Sequence, residues 1–196
     1  MSTVRRLRCL ALLVALRTCA VRGDAASNAT GWAYVVGGEG NILRTLDHGL
    51  TWNCSLCGER RPVQVKLNAV HFVDLRHGFV AGDHGVVLKT TQNGTNWTLC
   101  RTGYAADLLG IHALTRRQVY TAGSGGLILR TENGGATWKA MPQVQMVDSA
   151  LGRQYSLTLR GIRFFDMRRG TAIGSCLEWL QTSGIKEHAF SNHADS

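Results

Sequence analysis

A turn-and-tryptophan cassette occurs three times in this chain at nearly constant spacing. The copies read T-L-D-H-G-L-T-W at 45–52, T-T-Q-N-G-T-N-W at 90–97 and T-E-N-G-G-A-T-W at 131–138. Their tryptophans are 45 and then 41 residues apart, and three upstream glycines keep the same two intervals: Gly37, Gly82 and Gly123. Self-similarity at this period indicates stacked supersecondary units.

Each complete repeat is predicted to form four short strands, because its segments are rich in β-branched and aromatic residues and are separated by Gly, Asn and Asp. The expected strands are 68–73, 78–81, 86–90 and 96–100 in the second repeat, and 109–114, 119–122, 127–131 and 137–141 in the third. Four-stranded repeats of this length are the blades of β-propellers, which typically have 4 to 8 blades. The predicted fold is therefore all-β, a β-propeller with four-stranded blades.

The two terminal repeats are expected to be incomplete, which gives two full and two partial blades over 31–174. The first lacks an opening strand, since 24–30 is short and polar. A fourth repeat begins with strands at 159–165 and 170–174, and closure of the array is possible in principle if 159–165 supplies the missing first strand. Residues 175–196 match nothing upstream and are predicted to be a non-repeat tail, disordered or read from another frame. Open strand edges would then allow self-association.

Residues 1–23 are predicted to be a signal or targeting peptide. This segment has five arginines, no acidic residue and an apolar stretch at 9–16 that is followed by small residues, as in exported proteins. The apolar stretch is far shorter than the roughly 20 residues that span a bilayer. A mitochondrial presequence is the alternative.

The charge of the remaining chain excludes a nucleic-acid-binding function. The formal net charge is +9, but the residues after the leader include 17 basic and 13 acidic side chains. That balance is ordinary, and no long basic run with interleaved aromatic residues occurs. No other segment is long and apolar enough to cross a membrane, so the mature chain is not expected to span one.

Cysteines and sequons point to an exported protein. Four cysteines follow the leader and allow two disulfides in three connectivities: Cys54, Cys57, Cys100 and Cys176. Cys54-x-x-Cys57 has no second pair at ligand spacing, so no metal site is predicted. Four sequons would be glycosylated only in the secretory pathway: Asn28, Asn53, Asn93 and Asn96.

The cassette is predicted to be structural rather than catalytic. In the first copy Asp47 can accept backbone hydrogen bonds in an Asx-turn, Gly49 can supply a positive φ, and Trp52 can bury its ring against a neighbouring strand. Gln92 and Asn133 replace Asp47 in the other copies, which argues against acid–base chemistry. The remaining structural positions are Thr45, Gly94, Trp97, Gly135 and Trp138.

A cation ends the third strand of each repeat and forms the candidate partner-binding set of Arg44, Lys89 and Arg130. Repetition around a propeller would place the three on one face as a basic arc. They are either solvated strand ends or a docking surface for an acidic protein segment, bound by arginine–carboxylate contacts.

Three further equivalent residues, His71, His112 and Arg163, fall on the innermost strands near the propeller axis. Packed or partly solvated channel residues are favoured there over a metal site.

The pattern Ser/Thr-x-Asp-x-Gly-x-Thr-Trp of the first cassette resembles the Asp-box of propeller blades. Together with G-F-V-A-G-D-H-G-V-V-L-K-T-T at 78–91 and Trp97, it resembles the photosystem II stability/assembly factor family over roughly 31–174. That resemblance implies a seven-bladed, cofactor-free and non-enzymatic propeller of the thylakoid lumen. It also implies binding of a newly made reaction-centre subunit through a basic patch, which we carry over to Arg44, Lys89 and Arg130.

Two alternatives remain open on the sequence. Asp-boxes also occur in sialidases, whose chemistry needs three arginines on a carboxylate, a Tyr–Glu pair and an acid. The chain has no Arg-Ile-Pro strand near its start, and half a propeller cannot readily bring those groups together. The other alternative is a truncated secreted propeller, or a splice remnant, whose partner the sequence does not identify.

Overall fold

The computed structural model of the chain describes residues 17–20, 31–57, 61–148, 153–177 and 187–193. These residues form four antiparallel sheets of four strands each, arranged in chain order. Apart from two short 3-10 turns at Gly38–Gly40 and Asp83–Gly85, the described regular structure consists of strands. This architecture confirms the predicted all-β fold.

Three sheets follow the repeat. The first contains β1 (Arg17–Ala20), β2 (Ala33–Val36), β3 (Ile42–Thr45) and β4 (Asn53–Leu56). The second contains β5 (Leu67–Phe72), β6 (Gly78–Gly82), β7 (Val86–Thr90) and β8 (Thr98–Arg101). The third contains β9 (Leu108–Ala113), β10 (Val119–Gly123), β11 (Ile128–Thr131) and β12 (Lys139–Ala140). Strand bounds in the second and third sheets lie within about two residues of those the repeat pattern predicts.

The last sheet is assembled differently, from β13 (Met146–Asp148), β14 (Arg153–Phe164), β15 (Gly170–Leu177) and β16 (Glu187–His193). The strand β14 takes the place of the opening strand, and β13 precedes it as an additional hairpin strand. The position of the third blade strand is taken by β16, which comes from the tail that matches no repeat. The described part of this sheet contains no cassette, so by repeat position it is a partial blade.

One expectation about the chain ends is wrong, and the condition given for closure of the array is not met. The first sheet does have an opening strand, because β1 pairs antiparallel with β2 and sets Arg17 opposite Val36. The 159–165 strand does not complete the first sheet, because β14 pairs with β15 in the last one. Since β1 lies inside 1–23, the structure uses residues that were assigned to the leader; cleavage of a leader stays a prediction.

The core lies between consecutive sheets. The opening strands follow one another, with β1 packed against β5, β5 against β9 and β9 against β14. Tyr34 and Ile42 of the first sheet meet Trp97 of the second in one apolar cluster. The next cluster joins Phe79 of the second sheet to Trp138 of the third. All five residues of β6 are buried, as expected for a strand covered on both faces.

The burial of each cassette tryptophan depends on whether another sheet precedes its own. Trp97 and Trp138 are only 9% and 8% exposed, because each ring packs against the sheet before its own. Trp52 is 42% exposed, so the expectation that its ring is buried is wrong. Within the described residues no sheet precedes the first one in chain order, and the ring lacks the neighbour that covers the other two.

Truncating the two kinds of tryptophan should therefore have unequal costs. Trp97→Ala should lower the free energy of unfolding by about 3–5 kcal/mol, as for other large core truncations. Trp52→Ala should cost clearly less, because its ring is already partly in water. Denaturant unfolding followed by circular dichroism measures both, and equal losses would contradict the packing described.

Candidate functional site

The first cassette is a turn closed by its own side chains. Asp47 Oδ1 accepts hydrogen bonds from the Thr51 backbone N–H at 2.9 Å and from Thr45 Oγ1 at 2.6 Å. Thr45 Oγ1 in turn accepts the Gly49 N–H at 2.9 Å, where the backbone has a φ of 90°. Hydrogen bonds from Thr45 and Thr51 lower the pKa of the Asp47 carboxyl to about 2. The carboxylate is therefore occupied as an acceptor within its own turn.

The other cassettes keep this network to different degrees. Asn133 Oδ1 accepts from the Thr137 N–H at 2.9 Å and from Thr131 Oγ1 at 2.9 Å, which reproduces the aspartate geometry. Gln92 is longer, and its side-chain oxygen instead accepts from Asn96 Nδ2 at 2.7 Å. Position 47 and its equivalents thus serve turn closure, as the tolerance of Asn and Gln indicates.

Each internal cassette docks onto the preceding sheet through one backbone carbonyl. The Asn93 carbonyl accepts from Tyr34 Oη at 2.8 Å and from Arg44 Nη1 at 3.0 Å. In the next pair of sheets, Lys89 Nζ donates to the equivalent Gly134 carbonyl at 3.0 Å. Two cations of the predicted basic arc therefore lie half-buried between sheets, each holding the following cassette.

The third cation, Arg130, differs because no described residue supplies a fourth cassette. Its Nη2 instead pairs with Glu132 Oε1 at 2.5 Å, next to its own turn. Arg130 Nε and Tyr120 Oη are buried, with no hydrogen-bond partner within the described residues. Tyr120 occupies the position of Tyr34, so in the third sheet the tyrosine hydroxyl has no partner within the described residues and the arginine pairs with Glu132 instead of with a following cassette.

A groove of about 630 Å³ lies beside the third cassette and includes Arg130 in its wall. Its other lining residues are Arg117, Glu132, Asn133, Thr137, Lys139, Ala140, Met141 and Pro142. Three cations and one acid face this groove. The arrangement can attract a carboxylate-bearing chain segment, because arginine binds carboxylates in a bidentate geometry.

A second inter-sheet contact involves the cassette indoles. Trp97 Nε1 donates to Ser55 Oγ of the first sheet at 3.1 Å, and that hydroxyl donates to the Gly94 carbonyl. Cys100 takes the place of Ser55 in the next sheet, and Trp138 Nε1 is buried without a hydrogen-bond partner in the described structure. A thiol is a weak acceptor, so this substitution accounts for the orphaned indole.

The predicted disulfide and glycosylation residues fall in different environments. Cys54 and Cys57 form a disulfide with a Cα–Cα distance of 5.9 Å, whereas Cys100 and Cys176 are free thiols. Burial raises the pKa of the Cys100 thiol.

Of the four sequon asparagines, Asn53 and Asn96 are exposed and Asn93 lies half-buried at the inter-sheet contact. Asn28 lies outside the described residues. Glycosylation of these sites stays a prediction.

The innermost strands bring His71, His112 and Arg163 together. The two imidazole rings lie 4.6 Å apart, and their Nδ1 atoms accept the Ala113 and Phe164 backbone N–H groups, each at 3.2 Å. Burial, followed by the nearby charges of His112 and Arg163, lowers the pKa of His71 to about 4. Burial and Arg163 likewise lower the pKa of His112. Both imidazoles are therefore neutral acceptors near pH 7.

The described residues lack two features that other functions would need. No group of three or more His, Cys, Asp or Glu side chains in that part of the chain could hold a metal ion. Nor does it contain a helix with the length and hydropathy needed to cross a bilayer.

The fold and the docked cassettes define a propeller built from tryptophan-anchored blade repeats. A family model described as photosynthesis system II assembly factor YCF48 matches residues 12–176. The chain belongs to this family. The match begins within the predicted leader and ends in β15.

The chain is also similar to individual proteins. A stretch of 57 residues is 40% identical to the chloroplastic photosystem II stability/assembly factor HCF136 of Arabidopsis thaliana, covering 29% of this chain and 14% of that protein. A solved structure of YCF48 bound to D1 peptide has a TM-score of 0.55 at 19% identity, covering 87% of this chain and 58% of that chain. YCF48 from Cyanidioschyzon merolae has a TM-score of 0.47 at 17% identity, covering 76% of this chain and 62% of that chain. The chain thus spans only part of the relatives it matches.

The Cys100–Trp138 mismatch yields a test of the inter-sheet contact. Cys100→Ser should raise the free energy of unfolding by about 1 kcal/mol, because a hydroxyl can accept from Trp138 Nε1 as Ser55 does from Trp97. Ser55→Cys is the matched reverse change and should lower stability by a similar amount. Denaturant unfolding under reducing conditions measures both, and a destabilised Cys100→Ser variant would refute the assignment.

Histidine burial predicts how stability depends on pH. Between pH 6.5 and about 4 the unfolded chain binds a proton at His71 that the folded chain does not, so the free energy of unfolding should fall as pH falls through this window. The effect for His71 is at most roughly 3 kcal/mol. His71→Gln should reduce this slope, measured by urea unfolding at several pH values, and leave the part that the lowered pKa of His112 contributes. His84→Asn, at an exposed side chain, should leave the slope unchanged. A slope in His71→Gln as steep as in the unaltered chain would exclude His71 as a contributor.

Proposed function

We propose that the chain is a non-enzymatic assembly module that binds a segment of a photosystem II reaction-centre subunit, with the D1 subunit as its partner. The family match over residues 12–176 carries this proposal. The structure of the relative YCF48 bound to D1 peptide supports the choice of partner. The predicted leader and the chloroplastic relative support action in the thylakoid lumen after export.

The binding position that we propose is the groove beside the third cassette. Arg44 and Lys89 are already hydrogen-bonded to neighbouring turns, so they are poor candidates for direct contact with a partner. Arg130 is 30% exposed as a side chain, and its guanidinium is paired with the exposed Glu132 rather than with a neighbouring turn. Arg117 and Lys139 add positive charge to the same wall. Of the three cations in the predicted basic arc, only Arg130 is therefore proposed to contact the partner.

An acidic peptide segment fits this groove chemically. Charge complementarity between a basic wall and a carboxylate-bearing chain raises the association rate and fixes orientation. Exposed charges are screened by salt over about 8–10 Å at physiological ionic strength. Binding should therefore weaken as salt is added.

Charge reversal at the groove tests the proposal. Arg130→Glu should weaken binding of a fluorescein-labelled D1 peptide by at least about tenfold at low salt, because it replaces attraction by repulsion. The measurement is fluorescence anisotropy over a salt series, with unfolding curves to show that the variant is folded.

A matched control is Arg76→Glu, at an exposed arginine beside a separate cavity that Thr91, Gln92 and Asn93 also line. This variant should bind the D1 peptide as the unaltered chain does. Undiminished binding by folded Arg130→Glu would reject the groove, and peptide binding by neither chain would reject the proposed partner.

A further inference from the structure

The array of sheets ends in two apolar faces. The leading face is the side of the first sheet that carries Leu43, Gly49 and Trp52. The trailing face is the side of the last sheet that carries Phe165 and Ile173. Both faces occupy repeat positions that are covered by a neighbouring sheet inside the array.

Positions on the leading face are buried in the internal sheets. Leu88 and Leu129, which correspond to Leu43, are fully buried, whereas Leu43 is half-buried. The glycine equivalent to Gly49 is buried in both internal cassettes, and Gly49 itself is exposed. The leading face therefore presents the same surface that the second and third sheets bury against their predecessors.

Positions on the trailing face show the reciprocal pattern. Ala81 and Ala122 are fully buried against the following sheet, while the equivalent Ile173 is 56% exposed. Phe165 is also exposed, although its counterparts Val73 and Leu114 are half-buried. Terminal repeats of soluble arrays normally carry a polar outer face, whereas both end faces of the described array expose large apolar side chains.

The strand and turn positions that form the polar contact between internal sheets also occur at the two ends. Inside the array, the cation at the end of the third strand donates a hydrogen bond to the cassette of the following sheet. In the second sheet this cation is Lys89, which pairs with Phe79 of the second strand and donates to the Gly134 carbonyl. In the last sheet, the register puts His193 in that cation position, opposite Thr171. In the first cassette, His48 occupies the position of Gly134.

We propose that the trailing face of one copy of this chain packs on the leading face of a second copy, repeating the internal sheet-to-sheet contact between molecules. The proposed interface repeats the cassette docking that joins the first sheet to the second and the second sheet to the third within the chain. Head-to-tail contacts of this kind form closed rings when the rotation closes. Each copy contributes four sheets, so two copies joined at both ends give a ring of eight, within the 4–8 blades typical of propellers.

The test is the mass of the purified 196-residue chain and its variants by light scattering coupled to gel filtration, over a concentration series. The unaltered chain should double in mass as concentration rises. Ile173→Lys and Trp52→Lys should each remain monomeric, because each puts a charge into one half of the contact. Leu50→Lys is the matched control: Leu50 is 84% exposed on the same cassette as Trp52, at a position that is exposed in all three cassettes, so this variant should still dimerise.

Mixing the two disabled variants separates head-to-tail from symmetric pairing. The intact trailing face of Trp52→Lys and the intact leading face of Ile173→Lys should form one junction, giving a mixed dimer that neither variant forms alone. Circular dichroism confirms that each variant is folded, with Trp52→Phe as a second leading-face variant that should retain dimerisation.

Three results would overturn the proposal. The first is a monomer at every soluble concentration, which would mean that other segments of the chain cover these faces. The second is a dimer that survives both lysine substitutions. The third is a mixture of the two variants that stays monomeric, which would indicate like-to-like pairing. None of these measurements involves the D1 peptide, so they stand apart from the test of peptide binding.

Discussion

The structure depends on the docking of the second and third cassettes, each onto the sheet before it. The turn glycine makes this approach possible: a Cβ at Gly94, where φ is 68°, would lie 2.6 Å from Tyr34 Cε1. With the glycine in place, the Asn93 carbonyl reaches both Tyr34 Oη and Arg44. Burial of the cassette tryptophan follows from the same approach. A single contact type, repeated, thus sets the order of the sheets, the apolar core between them and the position of the cations.

This contact gives the recurring cation a structural role. A residue that repeats at the end of each third strand can be read as part of a binding surface, yet Arg44 and Lys89 donate to carbonyls of the next turn. Hydrogen bonds from charged donors contribute about 1.5–3 kcal/mol each, enough to explain why the position keeps a cation. Arg130 does not hold a following cassette, because no cassette is described in the last sheet. If Arg130 binds a partner as proposed, structural and binding roles occupy equivalent positions in one array.

The innermost strands carry a different kind of constraint. His71 and His112 accept backbone N–H groups from the following sheet, so their neutral form is part of the packing. Burial and the nearby Arg163 charge both disfavour protonation. The equivalence of these three residues in the repeat placed them together on the innermost strands, and the hydrogen bonds of His71 and His112 link one sheet to the next.

Local hydrogen bonds and strand periodicity could be predicted from the sequence because they join residues close along the chain. The four strands of the second and third repeats and the acceptor role of Asp47 toward Thr51, four residues away, are of this kind. The third place in the last sheet could not be predicted, because 187–193 has no repeat pattern and gains its strand by pairing with β15. The opening strand β1 was hidden within a segment whose composition is that of a leader.

The amino-acid sequence alone therefore determined the repeat, the all-β blades and the chemistry of each turn. The tertiary structure decided which tryptophan is covered, which cations are engaged and which donors stay unpaired. Those outcomes rest on contacts between residues 42 to 59 positions apart, such as Trp97 with Ser55 and Tyr34 with Asn93. Whether such a contact forms depends on the presence of a neighbouring sheet, and no local pattern within one repeat carries that information.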